Sequence, residues 1–60
     1  MQYHERIFNV HVYYTQYGIK QDFRTNIIAP SYEKAGQAAE SLSVFSDPEC
    51  TDITYFITEV

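Results

Sequence analysis

Between Ile7 and Thr15 apolar and polar side chains alternate, Phe8, Val10, Val12 and Tyr14 against Asn9, His11 and Tyr13. A period of two is the mark of a β-strand with one buried face, since a helix would scatter the same set around its axis. The rest of the chain reads as elements laid beside that strand or upon it.

Gln16-Tyr17-Gly18-Ile19-Lys20 is a short connection whose glycine can take positive φ, as a hairpin loop requires. A second strand follows over about 21–29, with Phe23, Thr25 and Ile27 on one face and Asp22, Arg24, Asn26 and Ile28 on the other. Pro30 ends it. Ser31 is a good N-cap and Glu33 suits the first turn of a helix over about 31–43. Ala35, Ala38, Ala39 and Leu42 fall at helical spacing, with Tyr32 one turn earlier, and this stripe of small side chains predicts a close approach to a sheet around residues 34–38. Gly36 weakens so short a helix by about 1 kcal/mol relative to Ala, so the sheet must hold it. Val44 and Phe45 should fold back over the core, and residues 46–52 form an acidic loop begun by Asp47-Pro48. A third strand over about 53–59 is apolar on both faces, Ile53, Tyr55 and Ile57 against Phe56 and Val60. The expected fold is one α+β domain over residues 1–60. It is a two-layer ββαβ unit, a three-stranded antiparallel sheet in order 2-1-3 with one helix on one face.

Sixty residues bury only about 60% of the surface of the unfolded chain, so the core is marginal and needs reinforcement. With Cys50 the only cysteine, no internal disulfide is possible. The uncovered sheet face would show Ile7, His11, Tyr13, Arg24 and Ile28 with one set from the third strand. Tyr55 is assigned there, although plain core packing would also suit it. A bare face of that kind is an association surface. A homodimer through it is expected, with an exposed strand edge as the competing surface. The polar lead-in 1–6, with Tyr3 its only large apolar body, is expected to fray. It has no signal-peptide pattern and no run is long enough to span a bilayer, so a cytoplasmic protein without a membrane partner is expected.

The net charge of −4 is unevenly spread. Residues 1–34 carry four basic and three acidic side chains, whereas residues 35–60 carry Glu40, Asp47, Glu49, Asp52 and Glu59 and no Lys or Arg. A nucleic-acid binder shows the reverse, so nucleic acid is an unfavoured partner and a basic protein a favoured one.

His4, His11 and Cys50 are zinc-ligand types, but they lack the close pairs of a zinc site, and Asp47, Glu49 and Asp52 lack the glycine and closing glutamate of a calcium loop. Cys50 with His11 or His4 would make a thiol–imidazole pair, for which so short a chain offers little of a water-excluding cleft. No metal, cofactor or catalytic residue is assigned, and the chain is not expected to be an enzyme. Ten aromatic residues, six of them Tyr, allow base stacking by Tyr13 and Tyr55 beside Arg24 as an alternative single-stranded nucleic-acid surface. Tyr is equally a residue of protein interfaces, with Tyr13 and Tyr17 the exposed candidates.

In size, ββαβ plan and acidic lean the chain is similar in kind to small accessory proteins of phages and plasmids, some of which inhibit host enzymes through an acidic face. The uneven charge leads to the expectation of a non-catalytic interaction module that presents Glu40, Asp47, Glu49 and Asp52 to a basic target, and that inhibits the target if it is a nucleic-acid-handling protein.

Overall fold

The computed structural model describes residues 5–60, so Tyr3 and His4 lie outside the described residues. The elements are β1 (Arg6–Gln16), β2 (Ile19–Ala29), α1 (Tyr32–Glu40), a 3₁₀ turn (Ser43–Ser46) and β3 (Cys50–Glu59). The sheet is antiparallel throughout with strand order β2-β1-β3 and α1 lies on one face of it, as expected from the sequence.

Both strands of the hairpin are longer than the alternation alone suggested, because the turn uses only two residues. Tyr17 and Gly18 both have positive φ, 54° and 77°, as a tight hairpin turn demands. Gln16 and Ile19 therefore already face each other in the ladder. β3 also begins early, at Cys50, inside the expected loop. The register steps from Tyr13↔Thr54 to Thr15↔Thr51, so Asp52 and Ile53 together oppose Tyr14. Asp52 takes φ 52°, and this bulge absorbs the extra residue that a regular strand could not.

The helix starts where expected: the Ser31 hydroxyl accepts from the Lys34 amide at 3.2 Å. It stops at Glu40 and not near residue 43. The Ser41 and Leu42 amides turn to the carbonyls of Ala38 and Ala39, and the Ser41 hydroxyl donates to the Gln37 carbonyl. Leu42 then leaves helical geometry with ψ 148°, which brings Val44 and Phe45 back over the core. Nine helical residues span about 14 Å, whereas an eleven-residue strand spans about 36 Å. The lid is thus α1 plus the 3₁₀ turn, and the hairpin tip overhangs it, leaving Tyr17 and Ile19 exposed.

Phe8, Val10 and Val12 are fully buried, as are Ala35 and Ala39 of the helix. Ala38, expected in the same stripe, is exposed, since α1 touches the sheet along the narrower line of Ala35 and Ala39. One part of the core gathers Phe8, Ala29 and Ala35; the other gathers Val10, Val12, Ala39 and Val44, with Phe23, Tyr55 and Phe45 around them. Arg6, counted above with a fraying lead-in, belongs to β1 and closes the end of the core. Its guanidinium meets both carboxylate oxygens of Glu59 at 2.5 and 2.6 Å and lies 5.2 and 5.6 Å from the ring centres of Phe8 and Tyr32. This pairing raises the Arg6 pKa and lowers that of Glu59. No helix among the described residues is long and apolar enough to cross a membrane.

Candidate protein interface

Side chains alternate across a pleated strand, so the residues between the core positions of β1 all point away from α1. The register assembles them into four cross-strand rows on the uncovered face. Arg24, His11 and Phe56 form one row, and Asp22, Tyr13 and Thr54 the next. Asn26, Asn9 and Thr58 form the third, tied by an Asn9 to Asn26 side-chain hydrogen bond of 3.2 Å. The last is wholly apolar: Ile28 opposes Ile7, and the Val60 amide donates to the Ile7 carbonyl. Ile28, Phe56 and Val60 are 63%, 60% and 80% exposed, with Ile7 and Tyr13 nearly half exposed. Five large apolar side chains on one face exceed the scattered exposures of an ordinary surface.

The middle of the face is preorganised. The Asp22 carboxylate lies 2.7 Å from His11 Nε2, and the Tyr13 hydroxyl lies 3.1 Å from Nδ1. With neutral imidazole this fixes one tautomer: Nε2–H donates to Asp22, and Nδ1 accepts from Tyr13. The Tyr13 ring stacks on the imidazole at 4.1 Å and meets the Phe56 ring edge-on at 6.0 Å. Beside them runs a shallow groove of about 380 Å³ lined by residues that include Asn9, Arg24, Phe56 and Thr58. Both ring nitrogens of His11 are taken up in holding its neighbours, so the cluster stiffens the surface.

Of the residues assigned to this face from the sequence, Ile7, His11, Tyr13, Arg24 and Ile28 are there. Tyr55 is not. It faces α1, packs in the core with its ring 5.6 Å from that of Phe45, and donates its hydroxyl to Glu40 at 2.8 Å. Phe56 takes the place given to it. Because β3 is apolar on both sides, alternation could not tell which set turns inward. This correction also separates Tyr55 from Tyr13 and Arg24, so the stacking surface for single-stranded nucleic acid is not assembled on one face. Alternation in the sequence sets Asp22 on the same face as Arg24, but Asp22 is not among the candidates named there, since its contact with His11 follows only from the register.

The acidic residues form no single cluster. Asp47 accepts from the Glu49 amide at 2.9 Å, and Glu49 accepts from the Tyr17 hydroxyl. Asp52 sits in the bulge, lining a hollow with Tyr14 and Lys20. These three surround the start of β3, near the hairpin tip. Glu40 stands apart at the carboxyl end of α1, where the helix dipole is negative and no basic residue lies in the last turn. The carboxylates hold the phenols of Tyr17 and Tyr55 in their protonated form, raising both pKa values.

Cys50 and His11 are not brought together. Cys50 opposes Gln16 and packs toward the core, whereas His11 opposes Phe56 on the other side of the sheet. Burial raises the Cys50 pKa, and Asp47 and Glu49 raise it further, the opposite of an activated thiol. Among the described residues no three His, Cys, Asp or Glu side chains converge as a metal site would need. Compared with protein-family models, curated proteins and solved structures, the chain matches none.

Proposed function

We propose that this chain is a small, non-catalytic protein-protein interaction module. It forms a homodimer by burying the uncovered sheet face and offers its acidic second half to a basic partner. The observation that carries the reading is the surface made by Ile7, Tyr13, Ile28, Phe56 and Val60, large side chains left exposed on the face opposite α1. A homodimer removes them from water where the described residues place no second layer. The His11–Asp22–Tyr13 cluster supports this use, since a rigid polar centre costs little further ordering on association.

The partner reading rests on charge. Residues 35–60 contain five acidic and no basic side chains. Glu40 at the negative end of α1 accepts from the Tyr55 hydroxyl but has no basic residue beside it in the last turn, and a cationic surface would complement it. Asp47, Glu49 and Asp52 extend the same sign to the hairpin tip. A nucleic-acid-handling protein with an exposed phosphate-binding groove fits that description. Occupying the groove would inhibit it, in the manner of a phage or plasmid accessory protein. A cytoplasmic setting agrees with the single free thiol.

Light scattering tests the first part: Phe56→Lys should halve the molar mass, and an unchanged mass would remove the sheet-face contact. For the second part, affinity for a basic target should fall steeply as salt rises. Indifference to salt would remove the acidic-face reading, and gel shifts of mixed single-stranded oligonucleotides at low salt would revive the nucleic-acid one.

A further inference from the structure

The two edges of the sheet differ. β3 is bulged at Asp52 and fastened at its far end by Arg6 and Glu59. β2 pairs with β1 through eleven consecutive residues without a register break, and contains no proline. A long, straight, unpaired edge is a template for another strand.

The two-residue turn makes Gln16 and Ile19 a mutually hydrogen-bonded pair, and such pairs alternate down an antiparallel ladder. Lys20, Asp22, Arg24, Asn26 and Ile28 therefore direct their amides and carbonyls away from β1. The Val60 amide on the Ile7 carbonyl agrees, since it shows the residue opposite Ile28 bonding to β3.

We propose that the β2 edge pairs with the β2 edge of a second copy, antiparallel and centred on Phe23. Only even-numbered residues can exchange hydrogen bonds there, so the register moves in steps of one even residue against another. Centred on Phe23, Asp22 of each copy lies opposite Arg24 of the other, two attractive pairs related by symmetry. A shift one way sets Asp22 against Asp22 and Lys20 against Arg24; a shift the other way sets Arg24 against Arg24. Centring on Thr25 pairs no charges. Centring on Gln21 also pairs opposite charges, Lys20 with Asp22, but overlaps only residues 19–23 of each strand against 19–27 for the Phe23 register. Charge and strand overlap together select one register, and both groups are placed for it. Arg24 is in no ion pair among the described residues, and Asp22 engages His11 through Oδ2, leaving Oδ1 to accept from a guanidinium. In the same register Phe23 meets Phe23 in a non-hydrogen-bonded pair on the helix side, where cross-strand side chains approach closest.

The seam is made by the backbone edge of β2 and does not depend on the sheet-face contact, although Asp22 and Arg24 border both. Its two-fold axis stands normal to the sheet, whereas that of the face contact lies in the sheet plane. The two contacts together close into a tetramer of two stacked six-stranded sheets.

Amide hydrogen exchange on the unaltered chain tests the seam without risk to folding. The amides of Lys20, Asp22, Arg24 and Asn26 should become protected as concentration rises; free exchange at every concentration would overturn the proposal. In the Phe56→Lys background, where the face contact is removed, Asp22→Arg and Arg24→Asp should each halve the molar mass, weakening the seam by about tenfold or more. Mixed in equal amounts, the two variants should pair with each other, because every repulsive contact in one is answered by the other. Failure of the mixture to associate, or a single reversal that leaves the mass unchanged, would overturn it. Phe56→Lys should leave the protection of these amides intact, which separates a failure of the seam from a failure of the face contact.

Discussion

The two faces of β1 are built from the same short sequence and have opposite fates. Phe8, Val10 and Val12 are wholly removed from water by α1 and the 3₁₀ turn, whereas Ile7 and Tyr13, one position away, remain nearly half exposed beside Ile28 and Phe56. Alternation makes both faces with equal ease, but the described residues supply a lid for one of them. Stability therefore resides on the covered face, and the other contributes little to it.

Truncation on the two faces should give the widest contrast. Phe8→Ala removes a fully buried ring and should cost about 3–5 kcal/mol in denaturant unfolding. Phe56→Ala, measured at a concentration where the chain is monomeric, should lie within about 0.5 kcal/mol of the parent. Equal costs would contradict this division of the two faces.

The helix sharpens it at closer range. Ala35 is buried and Ala38 exposed, so Ala35→Leu should destabilise by about 1–3 kcal/mol through overpacking while Ala38→Leu is nearly neutral. Gly36 has room for a methyl group, since a Cβ there would meet only the Tyr55 hydroxyl at 4.0 Å. Gly36→Ala should therefore raise stability by about 1 kcal/mol, read as a higher denaturant midpoint at unchanged slope.

The smallest effects are in the pH dependence. Arg6 holds the Glu59 carboxylate below its ordinary pKa, so its contribution is present above the unfolded value of about 4.3 and lost as pH falls through the lower folded one. Arg6→Met should flatten that acid limb in a series of melting curves. The raised phenols of Tyr17 and Tyr55 act oppositely: their contribution is present below about pH 10 and lost as pH rises through the folded values. Tyr17→Phe with Tyr55→Phe should flatten the alkaline limb.

Much of the fold was legible because its signals are local. The alternation in β1, the Ser31 cap and Pro30 at the end of β2 each act within a few residues, and all are where the sequence placed them. The uncovered face followed from β1 and β2 by parity. What was not legible depended on contacts distant in sequence. The choice between Tyr55 and Phe56 is made by the pairing of β3 with β1, and the early start of β3 by the bulge at Asp52. Neither leaves a periodic trace. The His11–Asp22 contact needs the two-residue turn, which sets Tyr13 opposite Asp22 and His11 beside it. The acidic residues share a sign but not a single surface, which composition alone could not reveal.

The most direct measurement is molar mass by light scattering over a concentration series, for the parent chain and Phe56→Lys side by side. Burial of the uncovered face by a second copy requires a parent mass of at least twice 7.0 kDa and half that value in the variant. A parent that stays at 7.0 kDa up to millimolar concentration, with a variant indistinguishable from it, would contradict the account.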